Sequence, residues 1–485
     1  MPALGGAPLL DWDEATYAEI AHEALASHDF ADFTWNGAPY VKKPPLLFWA
    51  IAASFRALGE SEFSARFPCA LFALGTMLVL YLSGLWAAGR VVGTLAALIP
   101  LGFYFFVARG GRECATDAPL IFFSSFAVYL TLKGRANRSW MWLAGAGVGL
   151  AILSKGAAGL IPAITLGVAI FVLPGFSSIG VSGFALFIGV ACVVAAPWYV
   201  HSALHNPLFW KSFVQHETLA RLSAHLEDEF QPASFTIRTY LDQISFLWPI
   251  SIGVVAALAP RVKQRGTRTA LAEILRGDTG AAVSIWVLWL AVALMAAIIV
   301  QTRLGWYILP ALIPTALLAA AALGSMLLQQ GAYRGYRIAG ALVALMLIAI
   351  QLPARHADIQ DSLADQRSKS TPTRTMALKA RETAVAHGGD GELYFAGVEL
   401  PALVYYSRLH CNFVKPEELL ETGGITDQES APMSIGYHDL MYVSPDGEAE
   451  FVSNLETEWG VAPDFAPTNL GAQHQSPDVS QSSEL

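Results

Sequence analysis

Long apolar segments separated by short polar ones fill most of this chain. From Phe67 onward, about ten segments are long enough, or nearly so, to cross the roughly 30 Å hydrocarbon core of a bilayer as helices. They lie at approximately 68–88, 91–108, 118–133, 140–153, 156–174, 178–199, 240–259, 281–300, 307–328 and 337–352. The pattern predicts a mainly α, polytopic helical membrane bundle of about ten or eleven spans over residues 68–352.

The first 67 residues are the most polar stretch ahead of this bundle. Three acids, Asp11, Asp13 and Glu14, precede an amphipathic helical pattern from Tyr17 to Leu25. The apolar run 45–58 is short for a span and fits a helix that lies at the membrane interface or re-enters the bilayer. We expect residues 1–67 to be a loop outside the membrane that holds a catalytic acid and interfacial helices.

The tail from Pro353 is richer in charged and small residues than the bundle. A helical pattern at 372–387 is followed by strand-like runs at Glu392–Ala396, Leu403–Ser407 and Met441–Val443. These features predict a small soluble α/β domain over 353–470. Residues 471–485 have the composition of a disordered tail.

Composition places the chain among integral membrane proteins. Of its 485 residues, 54% are hydrophobic and only 14% are charged, and the mean hydropathy is +0.46. The net charge of −9 comes from acids in loops and in the last third, and no nucleic-acid-binding surface is visible. The four cysteines are widely spaced and show neither CxxC pairs nor a disulfide framework.

Charge asymmetry predicts the orientation of the bundle, because short cytoplasmic loops are enriched in Lys and Arg. If residues 1–67 lie outside, the loops 108–117, 154–156, 200–239 and 301–307 and the tail lie outside as well. This places the following basic residues inside: Arg90, Lys133, Arg135, Arg138, Arg261, Lys263, Arg265, Arg268, Arg276, Arg334 and Arg337. An outer position for residues 1–67 requires a span ahead of them, so we expect a first span to be missing from this start.

Asp13 and Glu14 stand just before the helical pattern, where acids are common for two different reasons. One is structural, since Asp11 or Asp13 can cap the helix and interact favourably with its dipole. The other is catalytic, since a positioned carboxylate can take a proton from an acceptor hydroxyl. Both roles can coexist on neighbouring acids. Asp13 and Glu14 are therefore the candidate catalytic residues, with Asp11 as a further candidate.

The sequence Lys42-Lys43-Pro44-Pro45 places two cations directly before an apolar run, at the depth of lipid headgroups. An interfacial anchor needs no more than this, but a lysine can also bind a lipid phosphate as a point charge. Other charged residues at the outer ends of predicted spans either snorkel or line a site. They are Arg109, Arg112, Asp117, Lys155, Arg221 and Arg303. Cations converging from several loops would suit a substrate that carries phosphate beside an apolar chain.

The loop 205–230 mixes aromatic residues with His216, Glu217, Arg221 and several further acids. A metal site is one interpretation, yet no ligand spacing in this loop is diagnostic. The other interpretation is an interfacial amphipathic helix with a solvated acidic edge.

Several motifs, taken together and in order along residues 10–320, resemble those of the polytopic glycosyltransferases of the GT-C superfold. That group includes the ArnT-like and protein-O-mannosyltransferase-like membrane proteins. The motifs are Asp13-Glu14-x-x-Tyr17-Ala18-Glu19-Ile20, Asn36-Gly37-x-x-Tyr40-x-x-Lys43-Pro44-Pro45-Leu46 with Trp49, Ala65-Arg66-Phe67-Pro68, Arg109 with Asp117, Ser154-Lys155-Gly156-x-x-Gly159-Leu160, Pro197-Trp198-Tyr199, His216-Glu217-x-x-x-Arg221 and Arg303-x-x-x-Tyr307-x-x-Pro310.

The resemblance implies transfer of a sugar from an undecaprenyl-phosphate donor to a periplasmic acceptor, such as lipid A or another envelope glycan. It implies an inverting single displacement, a bacterial inner-membrane location and an active site that faces the periplasm. Asp13 would be the catalytic aspartate, and Lys43 and Arg303 would contact the donor phosphate. The remaining candidates for this site are Arg109 and Lys155, also at the phosphate, and Tyr40, Asp117, His216, Glu217, Arg221 and Tyr307.

Three positions depart from the family pattern. Lys42 stands where ArnT-like sequences commonly carry an acid implicated in metal binding, so no cofactor is firmly predicted and a divalent cation stays open. Thr16 stands where an arginine is frequent, and Arg303 where a lysine is frequent. The donor sugar and the acceptor therefore stay open.

Two other classes of protein compete with the enzyme. A transporter or flippase of lipid-linked sugars also needs intramembrane charge, but it tends to show internal repeats and midplane charges, which this sequence lacks. A membrane anchor for the C-terminal domain would not need so many outer cations. The expected partners are the lipid-linked donor, the glycan acceptor and membrane lipids.

Overall fold

The computed structural model describes residues 4–224, 231–250, 277–328, 334–389, 391–397, 399–414, 439–445 and 449–454. Their contacts form two compact units. The first, called the membrane unit here, contains Val41–Leu58 and Arg66–Ser362. The second unit contains the described residues of Ala3–Tyr40, Gly59–Ala65 and Leu363–Leu485.

Helices make up nearly all of the membrane unit. They are Leu46–Leu58, Glu62–Ala88, Arg90–Leu98, Tyr104–Val107, Asp117–Gly134, Met141–Lys155, Leu160–Val172, Gly180–His205, Arg221–Ser223, Ala233–Ile244, Gly277–Ile299, Leu309–Leu328 and Arg334–Ala386. Two of these helices, Glu62–Ala88 and Arg334–Ala386, also contribute residues to the second unit.

Five helical stretches in the described residues are long and apolar enough to cross a membrane. They are Glu62–Ala88, Arg138–Val172, Gly180–His205, Gly277–Ile299 and Gly305–Leu327. A sixth is added if Arg90–Gly102 and Tyr104–Arg112, which meet at 91°, count as one broken span. This is fewer than the ten or eleven spans predicted. Residues 251–276, in which the predicted span 240–259 ends, lie outside the described residues.

The predicted span 91–108 is broken because the helix ends ahead of Phe103. Residues Ile99–Gly102 tighten into a 3₁₀ turn that contains Pro100, and Phe103 has an extended backbone (φ −92°, ψ 120°). Proline cannot donate a helical hydrogen bond, so the run ends near it. The predicted span 337–352 also differs, because it lies inside one helix, Arg334–Ala386, that continues through the composition change at residue 353.

The helical stretch Arg138–Val172 is not one straight rod, because the chain turns back at Gly156. Gly156 has φ 54° and ψ −122°, a conformation that side-chain-bearing residues rarely adopt. A Cβ added at Gly159 would lie 2.4 Å from the Cα of Ile152, seven residues earlier. In a continuous helix, seven residues rise about 10 Å. Two legs therefore meet at Lys155-Gly156, where the sequence predicted an outer turn.

Small residues let neighbouring helices approach closely in this unit. A Cβ added at Gly145 would lie 2.3 Å from the carbonyl oxygen of Phe187, and one added at Gly149 would lie 2.7 Å from the Cβ of Val194. Membrane helices usually associate through close packing of this kind, because the hydrophobic effect does not drive helices together inside a lipid bilayer.

Three of the loops that the charge pattern assigned to the cytoplasmic side, near Ala87, Arg135 and Asp278, have contacts at one end of the bundle. Arg135 Nη1 lies 2.9 Å from Asp278 Oδ1, and Arg135 Nε donates to the carbonyl of Gly175 at 2.6 Å. The hydroxyl of Thr279 donates to the carbonyl of Ala87 at 2.5 Å. These contacts bring Ala87, Arg135, Gly175 and Asp278 together at one end of the bundle.

The second unit contains a four-stranded sheet. In spatial order its strands are His410–Val414, Glu392–Ala396, Asp439–Val443 and Ala449–Asn454. The first two pair in parallel and the others antiparallel. The strand predicted at Leu403–Ser407 is wrong, because these residues form the helix Pro401–Ser407 between the two parallel strands. All seven of its residues are buried, and an apolar run buried on every side has the same pattern in a helix and in a strand.

The start of the chain also belongs to the second unit. Helix Asp13–Ser27 is followed by a hairpin of Thr34–Trp35 and Ala38–Pro39, whose turn is Asn36-Gly37 with φ of 53° and 74°. Positive φ at both central residues is what this turn requires, and Asn-Gly favours it. The Asn36 side chain also exchanges two hydrogen bonds with the backbone of Cys411, at 2.8 and 3.0 Å.

Two acids of the second unit, Asp11 and Glu19, have raised pKa values. Burial raises the pKa of Asp11 to about 6, although hydrogen bonds from the Ala402 N–H (3.0 Å) and the Thr373 hydroxyl (3.1 Å) act in the opposite direction. Burial likewise raises the pKa of Glu19 to about 7, outweighing the guanidinium of Arg408 at 3.0 Å. Both acids therefore tie separate segments of this unit together.

These shifts predict that the second unit loses stability as pH rises from about 4.5 to about 7. In this range the two carboxyls are partly protonated when folded but ionised when unfolded, so the folded state binds more protons. The free energy of unfolding should fall by about 1–3 kcal/mol per site. Hydrogen exchange of strand Glu392–Ala396 at pH 5.5 and 7.5 measures this directly.

An Asp11→Asn, Glu19→Gln double variant should lose most of that pH dependence. The matched control is Asp365→Asn, which removes an exposed acid paired with Lys369 in the same unit. Equal pH dependence in the wild type and the double variant would contradict the assignment.

Candidate functional site

A cavity of about 260 Å³ lies in the membrane unit, at the end opposite the Arg135–Asp278 contact, where the predicted outer loops meet. Its wall is largely apolar, and its charged lining comes from four separate segments of the chain. The charged residues of the lining are Lys42, Lys43, Asp117, Lys155, Glu217 and Arg221.

One group of charges is organised by Glu217. Its carboxylate accepts a short hydrogen bond from Lys43 Nζ and contacts Arg221 Nε at 3.2 Å. Glu217 and Arg221 are four residues apart on the helical stretch that begins at Phe209, so they face the same side. Arg221 Nη1 also donates to the hydroxyl of Tyr307 at 3.0 Å. Residues far apart in sequence thus meet at one carboxylate.

The other group is organised by Asp117, which is 1% exposed. Lys155 Nζ donates to Asp117 Oδ1 at 2.6 Å, and Arg109 Nε lies 3.5 Å from Asp117 Oδ2. Asp117 opens helix Asp117–Gly134 and Lys155 ends helix Met141–Lys155, the positions that helix dipoles favour for an acid and a base. Arg109 also lies 4.2 Å from the ring centre of Trp306.

The lining carries a net positive charge. Burial alone would raise the pKa of Glu217, but Lys43 and Arg221 outweigh this effect and hold it at about 2. Glu217 is therefore ionised at neutral pH. Four cations face two carboxylates in the lining, which leaves two net positive charges beside an apolar wall. Such a surface suits an anion attached to an apolar chain.

The charged lining does not fit a divalent cation. Among the described residues no three His, Cys, Asp or Glu side chains come together in a group that could hold a metal ion. Both carboxylates of the lining already contact cationic side chains, and Lys42 would repel a metal.

Arg303 and His216 lie apart from this lining. The guanidinium of Arg303 donates to the carbonyl of Gln231 at 2.8 Å and to the side-chain oxygen of Gln301 at 3.3 Å. His216 points outward with 56% of its side chain exposed, and its Nδ1 is 3.9 Å from Glu217 Oε1. Of the two cations that the resemblance assigned to the phosphate, Lys43 lines the cavity and Arg303 does not.

The candidate acids at the start of the chain lie in the second unit, as does Tyr40. Asp13 is the first residue of helix Asp13–Ser27, and its Oδ1 accepts a hydrogen bond from the Tyr17 hydroxyl at 2.9 Å. Glu14 is 1% exposed and accepts the N–H of Leu10 at 2.9 Å. The N-cap residue is Trp12, with no side-chain capping bond, so the capping expected of Asp11 or Asp13 is wrong.

Sequence reasoning did not include Lys42 among the site residues. Lys42 lines the cavity beside Lys43, and the signal that could have found it is the lysine doublet itself. The turn at Gly156, which brings Lys155 to Asp117, is also part of the site and could be identified from the glycine after the last helical residue.

The buried charges predict how this end of the bundle responds to substitution. Asp117→Asn should destabilise the protein by about 3 kcal/mol, because it leaves buried cations uncompensated. Adding Lys155→Met should restore part of the loss, since the second change removes one of those cations. Thermal unfolding in detergent measures both.

Asp278→Asn is the matched control, because its partner Arg135 lies in an exposed pair that is worth about 1 kcal/mol or less. Additive losses from Asp117→Asn and Lys155→Met would show that the two side chains are not coupled, contrary to the structure.

Comparisons with known proteins agree with the motifs. Residues 42–201 match the family model described as dolichyl-phosphate-mannose-protein mannosyltransferase. The chain is 29% identical over 353 residues to the undecaprenyl phosphate-alpha-4-amino-4-deoxy-L-arabinose arabinosyl transferase of Pseudomonas savastanoi pv. phaseolicola, a match that covers 70% of this chain and 62% of that protein. It is 26% identical over 241 residues to a protein of Aquifex aeolicus, covering 49% and 48%.

The fold is similar to that of a solved structure. ArnT from Cupriavidus metallidurans, bound to undecaprenyl phosphate, aligns with a TM-score of 0.65 at 20% identity, covering 87% of this chain and 85% of that one. The resemblance inferred from the motifs is confirmed, and the chain is similar to multi-pass membrane proteins. It spans about half to three fifths of the length of the curated relatives it matches.

Proposed function

We propose that this chain, which shares the fold and the motif order of ArnT-like membrane glycosyltransferases, transfers a sugar from a polyprenyl-phosphate donor to a periplasmic acceptor. The observation that carries the proposal is the cavity, whose lining combines two net positive charges with an apolar wall. The relatives' names add undecaprenyl phosphate as the lipid carrier. Lipid A or another envelope glycan is the acceptor class to test first.

Access for a lipid chain is supported by the rim of the cavity. Leu222 and Ile299 both line it, and they are 41% and 57% exposed. A cavity that opens beside exposed apolar side chains in a membrane protein can take a lipid-linked phosphate directly from the bilayer. A soluble nucleotide-sugar would not need this apolar opening.

The reaction that fits is an inverting single displacement. An acceptor oxygen forms a bond to the anomeric carbon, the bond from that carbon to the phosphate oxygen breaks, and the released phosphate keeps the electron pair. The acceptor's proton passes to a carboxylate. Lys43 and Arg221, which Glu217 holds beside the cavity, supply charge-assisted contacts to the phosphate.

We assign the proton-accepting role to Asp13 rather than to its neighbours. Both oxygens of Asp11 accept hydrogen bonds, from the Thr373 hydroxyl and the Ala402 N–H, and Glu14 is buried against the backbone of Leu10. Asp13 is only half-buried at the first position of its helix, and Tyr17 orients one of its oxygens. A base must be both positioned and accessible, and Asp13 is partly exposed and oriented by Tyr17.

Asp13→Asn should therefore keep the fold while lowering the transfer rate about 10²–10⁴-fold, because the amide cannot accept the proton. The assay follows a labelled sugar from polyprenyl phosphate to acceptor in liposomes. Glu14→Gln is the matched control, because it changes the neighbouring buried carboxylate. We expect it to lower stability and to change the transfer rate less than Asp13→Asn does. Full activity in Asp13→Asn would remove the catalytic role, and no transfer by the wild type to any envelope glycan would remove the proposed function.

Orientation can be tested by thiol labelling, because Cys192 is the one exposed cysteine among the four. In a Cys192→Ala background, an impermeant thiol reagent added from the periplasmic side should label Lys211→Cys, on the helical stretch that carries Glu217. It should not label Arg138→Cys until the cells are lysed. Labelling in the opposite order would place the cavity on the cytoplasmic side.

A further inference from the structure

Lys42 differs from the other cations of the cavity. Lys43 and Arg221 both contact Glu217, and Lys155 contacts Asp117. Lys42 lines the same cavity but is exposed, and no hydrogen bond or ion pair joins it to any residue in the part of the chain that the structure describes. Its charge is therefore available to a ligand without breaking an existing contact.

Lys42 determines whether the net charge of the lining matches a phosphodiester or a phosphate monoester. Without it, three cations face two carboxylates, which leaves one net positive charge. With it, the lining carries two. A phosphodiester has one negative charge, whereas a phosphate monoester has about 1.5 to 2 near neutral pH. The three ion-paired cations match a diester, and the complete lining matches a monoester.

Sugar transfer, the proposed function on which this inference rests, converts the phosphodiester into the phosphate monoester. The donor is a phosphodiester that joins the lipid to the anomeric carbon. When the anomeric carbon–oxygen bond breaks, its electron pair stays on the phosphate oxygen, and a lipid phosphate monoester is released. Negative charge therefore grows at the phosphate during the step.

We propose that Lys42 contacts the phosphate leaving group and stabilises the charge that develops on it, so that the cavity prefers a polyprenyl phosphate monoester to a phosphodiester. An interaction that is stronger in the transition state than in the bound substrate accelerates the reaction. Lys42 meets this condition because no carboxylate among the described residues compensates its ammonium. Lys43 and Arg221, held by Glu217, contribute to both states.

Binding of two short probes tests the proposal without any transfer assay. The probes are farnesyl phosphate and its methyl phosphodiester, which share the lipid chain and differ in charge. The full chain is reconstituted in nanodiscs as wild type, Lys42→Met, Lys42→Arg and Lys211→Met. Lys211 is an exposed lysine on the helical stretch of Glu217 and is outside the cavity lining, which makes it the matched control.

We expect Lys42→Met to weaken monoester binding about tenfold and diester binding about twofold or less, because the added contact depends on the second charge. Lys42→Arg should keep the wild-type preference, and Lys211→Met should bind both probes normally. In the wild type, monoester binding should strengthen between pH 5.5 and 7.5 as the second ionisation completes. Lys42→Met should flatten that rise.

Equal weakening of both probes, or no weakening, in Lys42→Met would overturn the proposal while leaving the lipid-phosphate site intact. The same selective loss in Lys211→Met would also overturn it, since general surface charge would then explain the effect. If the folded wild type binds neither probe, the proposed function itself fails, and this inference fails with it.

Discussion

Two carboxylates buried in a membrane protein, Asp117 and Glu217, set the arrangement of the cavity. An uncompensated charge at such a position costs several kcal/mol, so each acid needs cations close by. Asp117 accepts a hydrogen bond from Lys155, which ends a helix 38 residues later in the chain. Glu217 accepts one from Lys43, which lies 174 residues earlier. These contacts determine which segments meet, and they hold the cavity's lining in place before any ligand arrives.

Under the proposed function, the same contacts position cations for the phosphate of the donor. Glu217 holds Lys43 and Arg221 side by side, so their donors already converge where a phosphate can replace or join the carboxylate. Charges that are positioned in advance need little reorganisation during a reaction, which is the main electrostatic advantage of an enzyme over water. Lys42 adds a cation that no carboxylate of the described residues contacts. The lining thus combines fixed charges with one adaptable charge.

The helices and most of the charged lining of the cavity could be predicted from the sequence. The predictions that were wrong have physical causes. The apolar segments predicted the helices. The charged residues at the ends of those segments predicted that Lys43, Asp117, Lys155 and Glu217 converge, because the alternation of spans places these ends on the same side of the membrane. The strand predicted at Leu403–Ser407 failed because complete burial removes periodicity. Arg303 is absent from the lining because its hydrogen bonds to Gln231 and Gln301 depend on tertiary structure, which spacing in the sequence does not encode.

Some motif residues serve the fold of the second unit. Asn36 and Gly37 form the hairpin turn, and the Asn36 side chain also bonds to the backbone of Cys411. Asp11, just ahead of the first motif, accepts hydrogen bonds from Thr373 and Ala402. A motif shared with a family therefore does not by itself assign a residue to catalysis. Sequence could not separate these roles, because their partners lie more than 350 residues away in the chain.

The exposed apolar rim at Leu222 and Ile299 has a consequence for how the proposed donor is supplied. A lipid that enters sideways is searched for in two dimensions, within a layer only a few nanometres thick, and not through the aqueous volume. The quantity that sets occupancy of the cavity is then the donor's mole fraction among membrane lipids. Dilution of the surrounding buffer leaves that quantity unchanged, while dilution of the membrane with other lipids lowers it.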